Sequence, residues 1–264
     1  MKILVVSDLH GNIYSLRAVL DKARGWDEII VLGDLVDYGP DPTGVIDLLR
    51  EHGARMVRGN HDHAVAFGVD CRCGDEVHWL SVWFRENVTM KLVDEHSRRL
   101  LAQLPLKINL EADGIEIYAV HAAPSNPLYE YLYPWLSNND VCRLLRRKSA
   151  RLVEGVKSVE CPKGFYIIGH THYQFYRMVD GTLVANPGGT GQPRDGDPRA
   201  PYMLVDTDSG GVMLYRVAYD IEKTIRALED LHIPEPYITA LKYMLRYARV
   251  PPRSMRPHSH PSPS

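Results

Sequence analysis

The chain has 264 residues, 45% hydrophobic and 24% charged, a composition typical of a globular domain with enough apolar side chains for a sizeable core. Its 31 Lys and Arg against 33 Asp and Glu give a formal charge of −2, which argues against a nucleic-acid groove and against an acidic binding arm. No apolar run approaches the ~18 residues of a membrane span, and Asp8 cuts the N-terminal run too short for a secretory signal, so a cytoplasmic location is expected.

In chain order, "KILVVS" (2–7) reads as a buried strand, short and β-branched. Ile13, Leu16, Val19 and Leu20 then recur at helical spacing to about residue 24. "EIIVL" (28–32) is the next strand, and Pro42 after Asp41 opens a helix with Val45, Ile46, Leu48 and Leu49 on its apolar face. "ARMV" (54–57) is a third strand. Alternating strands and helices with short connections predict a parallel sheet with right-handed crossovers.

Residues 64–105 read as an inserted helical cap, with Asp94 the N-cap of "EHSRRLLAQL". "LKINLE" and "IEIYAV" flank Asp113-Gly114, a hairpin signal. A helix over 139–156, the strand "GFYII", hairpins over 174–186 and 202–217, and helices over 220–247 follow. The Pro/Ser-rich tail, 251–264, lacks the apolar residues to make a core. The expected architecture is α/β, two packed mixed sheets sandwiched by helices, as one domain over 1–250. Without a signal peptide, Cys71, Cys73, Cys142 and Cys161 are expected as reduced thiols. Cys71-Arg72-Cys73 lacks the two-residue spacer of zinc and thioredoxin motifs, so no role is read from it.

Metal-ligating residue types recur where apolar runs end. Asp8 and His10 follow "KILVV"; Asp34 and Asp37 lie in "GDLVDYGP" after "EIIVL"; Asn60 and His61 follow "ARMVR". His121 ends "IEIYAV", while His170 and His172 follow "GFYII" as an i, i+2 pair on one side of an extended backbone. Singly, each is an ordinary turn or a structural histidine. Together they point to one crevice at the carboxyl ends of a sheet's strands, where loops converge. Imidazole, carboxylate and one amide oxygen suit Mn²⁺, Fe, Zn²⁺, Ni²⁺ or Co²⁺ better than Ca²⁺.

The motif order Asp-x-His, Gly-Asp-x-x-Asp, Gly-Asn-His-Asp, His, Gly-His-x-His resembles the calcineurin-like metallophosphoesterase superfamily over about residues 1–220. The ending "NPGGTGQPRDGDPRAPYMLVD" (186–206) looks like its small bacterial and archaeal phosphodiesterase branch. The resemblance implies two divalent ions, Mn²⁺ foremost. Asp8, His10 and His172 would hold one and Asn60, His121 and His170 the other, with Asp34 and a water or hydroxide bridging them. It further implies hydrolysis of a phosphate ester by that bridging hydroxide, with His61 as proton donor and Asp37 orienting it. No covalent nucleophile is needed, and only Ser7 lies near the strand ends. His61 could instead be a third histidine on the second ion.

One departure bears on substrate. Several phosphatases of the superfamily carry "GDxxDRG", whose arginine clamps phosphate, but Tyr38 stands there in this chain. A phosphodiesterase acting on a small or nucleotide-like ester is therefore the leading expectation. A phosphomonoesterase or dinucleoside polyphosphate hydrolase is the alternative, and a non-catalytic scaffold of the same fold is the rival of another class. Arg194 in "GQPRDG" is a substrate-binding candidate or a loop salt bridge with Asp195 or Asp197. Asn12 reaches a phosphate or caps the following helix, and the aromatic run "YEYLYPWL" (129–136) stacks on a base or packs a loop. The expected partner is a small phosphate ester such as a nucleotide, with no membrane and with nucleic acid disfavoured, while a homo-oligomer is left open.

Overall fold

The computed structural model describes residues 1–146 and 160–257. One sheet holds β1 (Lys2–Val6), β2 (Glu28–Val31), β3 (Arg55–Met56), β9 (Ala200–Asp206) and β10 (Gly211–Val217), in the order β10-β9-β1-β2-β3. The other holds β4 (Lys107–Ala112), β5 (Ile115–Val120), β6 (Phe165–Ile167), β7 (Gln174–Val179) and β8 (Thr182–Pro187), in the order β4-β5-β6-β8-β7. Both are mixed: β1, β2 and β3 are parallel, as are β5, β6 and β8, with antiparallel strands completing each sheet.

The near-continuous apolar run of β1 is explained by burial on both faces. Ile3 and Val5 join Ile30 and Leu32 in packing against Ile117, Phe165 and Ile167 of the second sheet. Leu4 and Val6 face the other way, toward Leu16 and Val19 of α1 (Ile13–Lys22) and Val45, Ile46 and Leu49 of α2 (Pro42–Glu51). The outer face of the second sheet is covered through Val120, Tyr166 and Val184 by α7 (Asn138–Leu145). The expected helix over 139–156 is seen only in this part; residues 147–159 lie outside those described.

The helical stretch expected at 64–105 begins at Asn60 instead, because Gly59 in extended geometry starts α3 (Asn60–Phe67). It continues as α4 (Asp75–Phe84), a π-turn over Arg85–Thr89, α5 (Met90–Leu92) and α6 (Glu95–Gln103). Asp94 caps α6 by accepting from the Ser97 amide at 2.7 Å. Val77, Leu80 and Phe84 of α4 pack with Ile225 and Leu228 of α8 (Ile221–Glu229) and Leu241 and Met244 of α9 (Tyr237–Tyr247), and Tyr38 joins them. The start of the tail is not wholly free, since Pro251 is buried and Arg256 donates to the Asp75 carbonyl at 3.0 Å.

The expectation of four reduced thiols is corrected. Cys142 on α7 and Cys161 form a disulfide with Cα atoms 4.5 Å apart. Their separation of 19 residues is closed by the return of the chain to β6, which no sequence pattern reveals. Cys71 and Cys73 are free and buried, with sulfurs 2.7 Å apart.

Candidate metal and active site

All five sequence blocks meet at one end of the two sheets. Asp8, His10, Asp34, Asp37, Tyr38, His170 and His172 all have positive φ, from 46° to 69°. Left-handed backbone costs a non-glycine residue ~1–3 kcal/mol, and such strain concentrates at functional loops held from outside. Here the loops hold one another. The amides of Asp8 and His10 donate to the carbonyls of Gly33 and Asp34, and Gly191 donates to Asp8. Gly33 and Gly59 let the second and third loops touch, for a Cβ on Gly33 would sit 2.4 Å from the Gly59 nitrogen. Asp62, the last residue of "RGNHD", ties the second and third loops by accepting from the Asp34 and Leu35 amides at 2.8 Å and from Gly59 at 2.9 Å.

Three imidazoles are aimed by backbone carbonyls. His10 Nδ1 pairs with the Val36 carbonyl at 2.9 Å, His121 Nδ1 with Leu32 at 2.7 Å and His172 Nδ1 with Gln192 at 2.5 Å. Each ring thus turns Nε2 inward, the arrangement by which proteins orient metal-binding histidines. Inside, acceptors crowd together. His172 Nε2 is 3.5 Å from both His10 Nε2 and Asp8 Oδ1. His121 Nε2 lies 2.9 Å from Asn60 Oδ1, 3.1 Å from His170 Nδ1 and 3.3 Å from Asp34 Oδ2. Asp8 Oδ1 and His170 Nε2 are buried without a hydrogen-bond partner.

Ligand atoms bound at ~2.0–2.2 Å from one tetrahedral or octahedral ion lie ~3 Å apart, so these spacings and orphaned atoms fit divalent cations. Two sets could hold them: Asp8, His10 and His172, and Asp34, His121 and His170 with the Asn60 oxygen beside them. Asp34 also groups with His10 and His61, and therefore stands between the sets.

The charges agree. Burial would raise the Asp34 carboxyl, but His121, His61 and His10 outweigh it and hold Asp34 well below the ordinary range. Burial likewise opposes a charged His121, yet Asp34 lifts its imidazole to about 9. Burial lowers His10 to about 3 and drives His170 and His172 well down, leaving neutral rings with free lone pairs. Asp8 is raised to about 7, chiefly by burial. A cation bound there would have to displace the proton of His121.

His61 Nδ1 pairs with Asp37 Oδ2 at 2.8 Å, and its backbone amide donates to Asp34 Oδ1 at 2.9 Å. Burial opposes charge on His61, but Asp34 first, then Cys71 and Asp37, raise it to about 9. Asp37 also receives Arg85 Nη1 at 3.4 Å from the π-turn. Arg85 was not found in the sequence, since only the fold brings it to Asp37. The same holds for Ser81, 3.4 Å from His61 Nδ1, and for the Cys71 carbonyl, which accepts from Asn60 Nδ2 at 2.9 Å. Tyr38 is buried edge-on against His10, with centroids 5.0 Å apart.

Of the two substrate candidates, Asn12 is accounted for by the fold. Its amide donates to the Gly191 carbonyl at 2.9 Å and the Tyr219 hydroxyl at 3.1 Å, while its oxygen caps α1 through the Ser15 amide. No amide hydrogen is left for a phosphate. Arg194 makes neither expected salt bridge: Asp195 pairs with Arg216 and Asp197 with Arg199. Its Nη2 donates to Gln192 at 2.8 Å, its Nε is buried without a partner, and its charge acts on Asp8, His10 and His172.

Residues 1–210 match the family profile of the calcineurin-like phosphoesterase superfamily domain. An uncharacterized protein of Methanocaldococcus jannaschii is 29% identical over 251 residues, covering 88% of this chain and 94% of that one. The crystal structure of a metallophosphoesterase from Sphaerobacter thermophilus superposes with a TM-score of 0.71 at 29% identity, covering 91% of this chain and 98% of that one. A symmetrical bis(5′-nucleosyl)-tetraphosphatase of Erwinia tasmaniensis is 29% identical over 152 residues, 49% of this chain and 55% of its own length. Among the described residues no helix is long and apolar enough to cross a membrane.

Proposed function

The chain belongs to the calcineurin-like phosphoesterase superfamily, and on that premise we propose that it is a metal-dependent phosphodiesterase acting on a small, nucleotide-like ester. The observation that carries this reading is the convergence of Asp8, His10, Asp34, Asn60, His121, His170 and His172 on one buried space. There, the neutral rings of His10, His170 and His172 and the carboxylates of Asp8 and Asp34 face one another, and Asp8 Oδ1 and His170 Nε2 have no hydrogen-bond partner. Asp8, His10 and His172 would hold one divalent ion, Asn60, His121 and His170 a second, and Asp34 both. Mn²⁺ is the first candidate by donor chemistry. Bound there, the two ions would acidify a water and draw charge from the phosphoryl oxygens.

The rest falls to the chain's own residues. His61 protonates the departing oxygen through Nε2, while Asp37 holds Nδ1 and so fixes the tautomer. Arg85, whose Nη1 donates to Asp37 Oδ2, helps hold that carboxylate in place behind the ring. Arg194, with an unpartnered Nε and its charge directed at the donor sets, binds a non-bridging phosphate oxygen. A diester carries one negative charge where a monoester carries up to two. The buried ring of Tyr38 in place of a phosphate-clamping arginine therefore favours the diester. The partial match to a symmetrical tetraphosphatase supports the second reading, a dinucleoside polyphosphate hydrolase with the same centre.

The test is hydrolysis of bis(4-nitrophenyl) phosphate after chelator treatment. Activity should return with Mn²⁺, and His121→Ala should lower kcat/KM by about a thousandfold, the equivalent of several kcal/mol of lost charge stabilisation. Faster turnover of 4-nitrophenyl phosphate than of the diester would contradict the phosphodiesterase assignment.

A further inference from the structure

Tyr131, Tyr133 and Trp135 occupy alternate positions in the irregular segment between β5 and α7, and their rings form a ladder. Its inner rung, Tyr131, lies over the His170 ring with centroids 4.0 Å apart and planes at 30°. Tyr131 and Tyr133 follow at 5.5 Å and 8°, then Tyr133 and Trp135 at 4.7 Å and 11°. Tyr173, next to His172 in the chain, meets Tyr133 and Trp135 at 81° and 88° and closes a corner with them.

This is not the arrangement of a loop packing itself onto a core, because burial falls along the ladder until Trp135 is 62% exposed. Nor is the segment loose. Arg177 on β7 donates to the carbonyls of Pro134 and Leu136 at 3.0 and 2.8 Å and to Asn138 Oδ1 at 2.6 Å. At the inner end the Tyr131 hydroxyl accepts from the Gly74 amide at 3.1 Å. A rigid, wet aromatic face that begins on a candidate ligand is a stacking platform, since flat rings bind such faces with little ordering cost. Arg194 lies between the ladder's inner rungs and the donor sets, close enough for its charge to act on Tyr131 and Tyr133 as well as on Asp8, His10 and His172.

We propose that the outer face of Trp135, braced from behind by Tyr133 and flanked edge-on by Tyr173, is a nucleobase subsite, which takes the base of a nucleotide phosphoester while Arg194 holds the phosphate. It rests on the phosphoesterase reading and narrows it, because a phosphate ester with no flat ring leaves the ladder unused.

The experiment compares 5′-AMP with ribose 5-phosphate, which share a phosphate and a sugar and differ in the base. Both are measured as inhibitors of Mn²⁺-dependent methyl 4-nitrophenyl phosphate hydrolysis and, without metal, as ligands that change tryptophan fluorescence. In the native protein 5′-AMP should bind about tenfold more tightly, within the range expected of base stacking on an aromatic ring. Trp135→Ala should erase most of that advantage and Trp135→Phe should keep it. Equal binding of the two ligands, or an advantage untouched by Trp135→Ala, would overturn the subsite. If the native protein hydrolyses no ester with Mn²⁺, the enzymatic reading fails, while the fluorescence comparison still decides whether the ladder binds a base.

Discussion

Asp34→Asn should reduce diester hydrolysis by about a thousandfold or more, on the scale of several kcal/mol of charge stabilisation per metal site. Asp34 lies within reach of both donor sets, 3.9 Å from His10 Nε2 and 3.3 Å from His121 Nε2. It is also the group whose charge raises His61 and His121. Asparagine keeps its size and can still accept the His61 amide that Asp34 Oδ1 now receives at 2.9 Å. Its new N–H group can serve one of the crowded imidazole nitrogens. Metal-stripped Asp34→Asn forfeits the pairing of Asp34 with His121 and His61 and should unfold somewhat below the native midpoint at neutral pH, yet stay folded at the assay temperature while losing affinity for both ions. His121→Ala touches one set and should leave the other. Thermal unfolding of the stripped protein, run beside kcat/KM, separates a lost centre from a lost fold. A variant already unfolded at the assay temperature would mean that Asp34 acts as a structural residue.

His61→Ala should show a loss that depends on the leaving group. A general acid contributes ~10²–10⁴-fold when the departing oxygen is a poor leaving group. With an alkyl leaving group that full factor is expected. With 4-nitrophenolate, which departs without a proton, the loss should fall below about tenfold, since proton transfer then has little to offset. The geometry behind this is the ring buried beside Asp34, with Nδ1 held by Asp37 at 2.8 Å and Arg85 behind Asp37 at 3.4 Å. If His61 were a third histidine on the second ion, the two leaving groups would suffer alike. That outcome would remove the acid role assigned here.

The strand-end donors were legible because each loop must leave a buried apolar strand at a fixed point, and the chain announces that point. "KILVV", "EIIVL", "IEIYAV" and "GFYII" end within a few residues of Asp8, Asp34, His121 and His170. The two-sheet architecture followed from the same runs and from the turn residues Asp113-Gly114 and Asp180-Gly181. What supports the donors was not legible, because it consists of backbone carbonyls and of side chains distant in sequence. Nothing in the sequence says that Val36, Leu32 and Gln192 offer their carbonyls to three imidazoles, or that a π-turn turns Arg85 toward Asp37. The Cys142–Cys161 bridge was missed because spacing does not reveal which strands and helices become neighbours. The aromatic run at 129–136 is visible in the sequence, but that Tyr131 lies on the His170 ring is not.

Anomalous diffraction from crystals grown with Mn²⁺, recorded on either side of the manganese edge, tests the central claim most directly. Two peaks per chain are predicted, roughly 3.5–4 Å apart as in two-metal sites. One should be bound by Asp8, His10 and His172, the other by Asn60, His121 and His170, with Asp34 touching both. A single peak, or peaks away from Asp34, would contradict the account.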